Sequence, residues 1–204
     1  MAITNGRSHV NGFAPPPSSM LATHVIRGNG AQELNRSDFN QLLDEALGTD
    51  DEGNPNIGAD STFNHKLICT VAQAGLEPAL GEFDDNPFRA NSIGSKNAAQ
   101  IYSCLDVIRL AIDRAPQALF ITSQPPDNYT PDCELALYVW LIPKLLSLIA
   151  HEEEHGLWRS ALAVVEACLS ADGKCDLTAD CPSIRLTLEA CVKGMSPVVF
   201  VKYL

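Results

Sequence analysis

Apolar residues recur along much of this chain at the three- and four-residue spacing that places side chains on one face of an α-helix. The clearest case lies between Ala98 and Ile112. Its apolar positions are Ala98, Ile101, Tyr102, Leu105, Ile108 and Ile112. Lys96, Asp106, Arg109 and Asp113 fall on the opposite side. This pattern predicts an amphipathic helix that Ser95 caps and Pro116 closes.

Weaker runs of the same kind, bounded by capping residues and glycines, predict further helices. These run from Ser37 to Gly48, from Ser61 or Thr62 to Gly75, from Leu157 to Ser170, and from Pro182 or Ser183 to Gly194. With the apolar helix described next, they give an all-α chain of about six helices. The connecting segments are uneven, so we expect an irregular, HEAT-like array rather than a compact bundle.

The most apolar segment predicts a helix that opens at Thr130 and Pro131, a cap followed by a first-turn proline, and continues to about Ala150. Apolar side chains lie on nearly every side of it, so we expect neighbours on more than one face. Pro143 should kink this helix, because proline has no N–H to donate to the preceding turn.

The pattern divides the chain into three parts. Residues 1–34 are rich in Gly, Asn, Ser and Pro without an apolar period, and we expect them to be a disordered lead-in. Residues 35–194 hold the helices. Residues 195–204 form a tail whose short β-like run has no evident partner strand.

The composition and charge of the chain limit the classes of function that are open to it. The chain is 46% apolar, enough to bury a core. It has 25 acidic against 14 basic residues and no basic cluster, which disfavours direct binding to nucleic acid. We find no signal peptide and no apolar stretch of about 18 residues that predicts a membrane span. Seven dispersed cysteines, several on apolar stripes, indicate a reducing compartment, the cytosol or nucleus.

Two segments resemble the extreme N-terminal region of ATR-type checkpoint kinases. The first contributes Leu105, Asp106, Ile108, Leu119 and Phe120. The second contributes Trp140, Leu141, Ile142, Lys144, Leu145, Leu146, Ile149 and Ala150. The lead-in and acidic loops are similar to those of fungal members.

The resemblance implies that the chain forms the first helical repeats of a phosphatidylinositol-3-kinase-like Ser/Thr kinase of the DNA damage response. It implies a nuclear protein in a larger dimeric assembly, bound to an ATRIP-type coiled-coil protein that directs the kinase to RPA-coated single-stranded DNA. The chain has no Gly-rich phosphate loop, no catalytic-loop Asp with its Asn, and no D-F-G. We therefore expect neither catalytic residues nor a cofactor here, since ATP and Mg²⁺ belong to the kinase domain of such a parent.

The candidate partner-binding residues lie around the apolar helix, although such apolar side chains serve the core more often than an interface. They are Phe120, Tyr138, Trp140, Leu141 and Lys144. Aromatic side chains dominate binding hot spots. We hypothesise that the groove between the 98–115 and 132–150 helices accepts an amphipathic partner helix.

Two other functions stay open. His151, Glu152 and His155 fit the H-E-x-x-H pattern, in which two imidazoles bind zinc and the glutamate activates water, so a small zinc-dependent hydrolase is the alternative. Against it, Gly156 follows at once and no third ligand is evident. The second function that stays open is a free-standing helical adaptor unrelated to kinases.

Three smaller features complete the candidates. Ser123 precedes Gln124 in a Pro-rich segment, which makes it a candidate phosphorylation site that a kinase could reach. The group Cys168, Cys175 and Cys181 lacks zinc-finger spacing, and Asp172, Asp176 and Asp180 lack the order of an EF-hand loop. No Cys/His pair is marked out by its surroundings as a nucleophile.

Overall fold

The computed structural model describes residues 34–76, 78, 95–123, 135–151, 156–172 and 183–194. Six α-helices lie in these ranges: α1 (Arg36–Leu47), α2 (Ser61–Val71), α3 (Ser95–Arg114), α4 (Leu137–His151), α5 (Leu157–Asp172) and α6 (Ile184–Gly194). The predicted all-α fold is confirmed. The expected lead-in up to residue 33 and the 195–204 tail lie outside the described residues.

Side-chain oxygens just ahead of α1 and α2 fix where these helices begin. Asn35 accepts hydrogen bonds from the backbone N–H groups of Ser37 and Asp38, both at 3.0 Å. Asp60 accepts one from Phe63 N at 2.8 Å. These residues, rather than Ser37 and Ser61 or Thr62, are the N-caps, because their oxygens reach the first free N–H groups of each helix. The predicted end of α1 at Gly48 is confirmed.

A π-helical turn, Ala72–Leu76, follows α2 and brings the backbone close to α1 and α3. Gly75 was predicted to stop the helix, and it lies within this turn. A Cβ placed on Gly75 would stand 2.3 Å from the Cys104 sulfur and 3.0 Å from the ring of Phe39. Glycine is therefore required here by the close approach of three elements.

The helices pack in series around one continuous hydrophobic core. On one side α3 contacts α1 and α2, and on the other it packs extensively against α5. In turn α5 packs against α4, and α6 rests on both α4 and α5. In the ranges the structure covers, no helix combines the length and apolarity needed to cross a bilayer.

The start of α4 differs from the prediction. A 3-10 turn (Pro116–Phe120) leads into strand β1 (Thr122–Ser123), which pairs antiparallel with β2 (Leu135–Ala136). The proposed cap at Thr130 and Pro131 lies outside the described residues, but a helix running through 135 and 136 is wrong. Their backbone groups bond across to β1, so α4 begins at Leu137 and continues through Pro143.

Candidate functional site

The residues predicted to bind a partner lie mostly in the core of the protein. Tyr138 and Leu141 are 0% exposed and Trp140 is 7% exposed, while Phe120 and Lys144 are half-buried. The rings of Phe120 and Tyr138 lie 5.5 Å apart at 57°, a tilted contact that holds the 3-10 turn against α4. These aromatic side chains therefore stabilise the fold from inside rather than forming an exposed hot spot.

The predicted groove between the 98–115 and 132–150 helices is filled by the chain itself. Helix α5 packs against both α3 and α4, and these two share little direct contact. Small and β-branched side chains on α5 allow the close packing; its buried residues are Leu157, Ala161, Val164, Val165, Ala167, Cys168 and Ala171. Helix α5 therefore occupies the location that we hypothesised for a partner helix, and binding of a partner there stays a prediction.

A different surface of α4 remains open to solvent. We define the outer face of α4 as Val139, Pro143, Leu146, Ser147 and Ala150, of which Pro143 is exposed and the others are half-buried. None of these five side chains is charged, although the half-buried Lys144 directly follows Pro143. The outward positions of α3 and α5 do carry charges: Asp106, Arg109, Asp113, Arg159 and Glu166. The uncharged, largely apolar strip on α4 thus contrasts with the charged outward positions of α3 and α5.

The backbone and one edge of this face have unusual polar groups. Pro143 has no N–H to donate to the Val139 carbonyl one turn earlier, so that carbonyl lacks its helical donor. At the edge, the Trp140 indole Nε1 is buried, and the described part of the chain supplies no acceptor for it. The Val139 carbonyl lies on the half-exposed side of α4, where water or another chain can donate a hydrogen bond to it.

The H-E-x-x-H residues are only partly visible. His151 ends α4, but its side chain and residues 152–155, which include Glu152 and His155, lie outside the described residues. Within the ranges given above, no three His, Cys, Asp or Glu side chains group closely enough to hold a metal ion. The zinc hydrolase stays a prediction, tested by metal analysis of the purified protein and of His155→Ala.

The Ser123 hydroxyl is less exposed to solvent than the predicted phosphorylation site requires. It lies in β1, paired with Leu135, and its hydroxyl oxygen is buried. That hydroxyl lies close enough to Cys69 to lower the pKa of the thiol, yet no hydrogen bond of good geometry reaches it from the described residues. Phosphorylation of Ser123 stays a prediction, and the buried hydroxyl would have to become exposed for a kinase to reach it.

The structure also shows a Cys/His pair that the sequence analysis missed. Both residues lie on α2, one turn apart, with 3.7 Å between Cys69 Sγ and His65 Nε2. The other ring nitrogen of His65 lies 3.1 Å from the Ala118 carbonyl in the 3-10 turn. The four-residue spacing was visible in a predicted helix. Nothing in the sequence showed that residues 118 and 123 would pack against this Cys/His pair.

Burial makes this pair a poor nucleophile. Desolvation raises the pKa of Cys69 to about 11 and lowers the pKa of His65. Both groups are therefore neutral near pH 7, and a thiolate is needed for attack. Cys104 and Cys168 are fully buried, and desolvation raises the pKa of each to about 12. Cys175, Cys181, Asp176 and Asp180 lie outside the described residues.

No family model matches this chain, and comparisons with curated proteins and with solved structures give no match either. The residues that carry the resemblance to ATR-type kinases are largely core residues: Leu105, Ile108, Leu119, Leu141, Ile142 and Leu145 are all 0% exposed. A likeness in such positions concerns how helices pack, and it does not identify a binding surface.

Proposed function

We propose that this chain is a helical scaffold segment that binds a partner protein through the outer face of α4. The observation that carries this proposal is the uncharged stripe of Val139, Pro143, Leu146 and Ala150, which contrasts with the charged outward positions on α3 and α5. Soluble proteins keep contiguous apolar surface small, and an apolar strip with a polar rim is typical of an interaction site.

The shape of the strip favours a helical partner. Val139, Pro143, Leu146 and Ala150 follow one another at four-, three- and four-residue steps, so they form a continuous stripe along α4. A partner helix with its own apolar stripe would bury this surface along its length, as in helix-in-groove recognition and coiled coils.

The resemblance to ATR-type kinases suggests which protein the partner is. We propose that the chain is the N-terminal, HEAT-like part of an ATR-type checkpoint kinase and that the helix on α4 belongs to an ATRIP-type coiled-coil protein. That protein would bring the nuclear, dimeric kinase assembly to RPA-coated single-stranded DNA. The net charge of -11 favours recruitment through a partner over direct contact with phosphates. A free-standing adaptor would use the same face for another helical partner.

The test uses charge placed on the face. The full chain is co-expressed with the ATRIP-type protein of the same organism, and the affinity of the purified pair is measured. Pro143→Glu and Leu146→Glu each place a carboxylate in the strip, and we expect either to weaken binding at least about thirtyfold, as loss of a hot-spot residue does. Pro143 is the cleaner position because its side chain is exposed and glutamate favours a helix.

Leu162→Glu is the matched control, since Leu162 is 38% exposed on the charged outward side of α5. It should bind like the unaltered chain. The proposal fails if the two proteins do not associate in low or moderate salt, or if all three variants bind equally well. Circular dichroism of each variant shows that a loss of binding is not a loss of fold.

A further inference from the structure

The pair formed by His65 and Cys69 has features of a ligand set for a soft metal ion. Because a carbonyl oxygen can only accept, the 3.1 Å contact with Ala118 requires that His65 Nδ1 carries the proton. The lone pair of Nε2 then faces Cys69 Sγ, 3.7 Å away. Histidines that bind metals usually donate their second N–H in this way, which fixes the ring and the tautomer.

The distance between the two atoms suits one shared ion. Typical bonds from a d¹⁰ ion to sulfur and to imidazole nitrogen are about 2.3 Å and about 2.0 Å, so an ion between atoms 3.7 Å apart can bind both. Cys69 is half-buried, whereas Cys104 and Cys168 are fully buried. Ser123 adds a hydroxyl close to that sulfur.

Charge decides which ion the site can hold. Among the described residues, the Cys69 thiolate is the one negative ligand that this pair offers, and no third His, Cys, Asp or Glu groups with it. A divalent ion on one thiolate leaves a net positive charge in a desolvated place, which is costly. A monovalent cation bound to one thiolate gives a site with no net charge. Thiolate and imidazole are also ligands that Cu(I) accepts.

We propose that His65 and Cys69 form a binding site for a monovalent thiophilic ion, Cu(I), at the junction of α2 with the 3-10 turn. On binding, the Cys69 S–H bond breaks, its proton passes to solvent, and an S–Cu bond forms while copper stays in the +1 state. Affinity should therefore rise with pH, because the ion competes with the thiol proton. This inference is independent of the proposed partner-binding function.

The experiment must separate this site from the other cysteines. Reduced full-length protein is loaded with Cu(I) without oxygen and titrated against a Cu(I)-selective chromogenic chelator, and native mass spectrometry counts the bound ions. Cys69→Ser should lose one equivalent. His65→Gln keeps every cysteine and should weaken that equivalent at least tenfold. Cys191→Ser, which removes a half-buried thiol elsewhere, should match the unaltered chain.

A second measurement does not depend on how the variants fold. Cu(I) is diamagnetic, so the ¹⁵N resonance of His65 Nε2 can be followed in the unaltered protein, and it should shift as the first equivalent binds. An unshifted His65 ring would overturn the proposal, as would His65→Gln binding as tightly as the unaltered chain. Either result would leave the pair as a structural S–H···N hydrogen bond. Tighter binding of Zn²⁺ than of Cu(I) would overturn the charge argument.

Discussion

Replacing Gly75 by alanine tests the packing of the first three helices. The new methyl group would lie 2.3 Å from Cys104 Sγ and 3.0 Å from Phe39 Cζ. Cys104 is 0% exposed and Phe39 is 2% exposed, so neither side chain can move toward solvent. The backbone turn or one of the two helices must shift to accommodate it.

The expected magnitude follows from this crowding. Extra carbon in a well-packed core costs about 1–3 kcal/mol, and a contact this short with a fixed sulfur places Gly75→Ala near about 3 kcal/mol. Cys104→Ala alone removes one buried atom and should cost about 1 kcal/mol. In the double variant the new methyl occupies the space of the lost sulfur. We therefore expect the double variant to be more stable than Gly75→Ala, with a coupling energy of about 2 kcal/mol.

Urea unfolding followed by circular dichroism measures these free energies of unfolding. Gly58→Ala is the control, because a Cβ there meets nothing within 4 Å. It should change stability by less than about 0.5 kcal/mol or raise it slightly, since alanine restricts the unfolded chain. If Gly75→Ala costs no more than Gly58→Ala, or if Cys104→Ala gives no rescue, the close approach of α1, α3 and the π-helical turn is wrong.

Three further outcomes follow from single contacts. Trp140→Phe removes a buried indole N–H that has no acceptor among the described residues, so urea titration should show a loss below about 1.5 kcal/mol, well under the several kcal/mol of a typical Trp→Ala change. Desolvation lowers the pKa of His65 from its usual 6.5, so the unfolded chain binds a proton at this histidine more readily than the folded chain does. The contribution of His65 to stability should therefore be full above about pH 6.5 and should fall as the pH drops. His65→Gln should flatten this dependence of stability on pH. Asp172 accepts from the N–H groups of Ile184 at 3.1 Å and Arg185 at 3.4 Å, so Asp172→Ala should cost about 1 kcal/mol and speed amide exchange in α6, and unchanged exchange at both amides would contradict this.

The helices could be predicted because each buries one stripe and has clear end signals. Gly48 and Gly194 end helices as expected. Errors of one or two residues came from neighbouring caps that compete, such as Asn35 against Ser37. The β1–β2 pair could not be predicted, because it depends on hydrogen bonds between residues far apart in the chain.

The candidate site shows the same division between local and long-range information. The apolar character of α4 was evident, but which of its sides faces solvent depends on where α5 and α6 pack, and no periodicity encodes that. Trp140, a candidate for partner binding with core packing as the favoured alternative, lies in the core. His65 and Cys69 share a visible four-residue spacing, whereas the burial that makes them neutral comes from the 3-10 turn about 50 residues later.

The position of α5 between α3 and α4 has a consequence for synthesis on the ribosome. A nascent chain that has emerged only as far as His151 holds α3 and α4 without the element that separates and covers them. Both apolar sides stay exposed until Leu157–Asp172 leaves the exit tunnel, and elongation at about 5–20 residues per second sets that delay. Chaperones would meet this intermediate first, and a stop codon before Leu157 would yield a product destined for proteolysis.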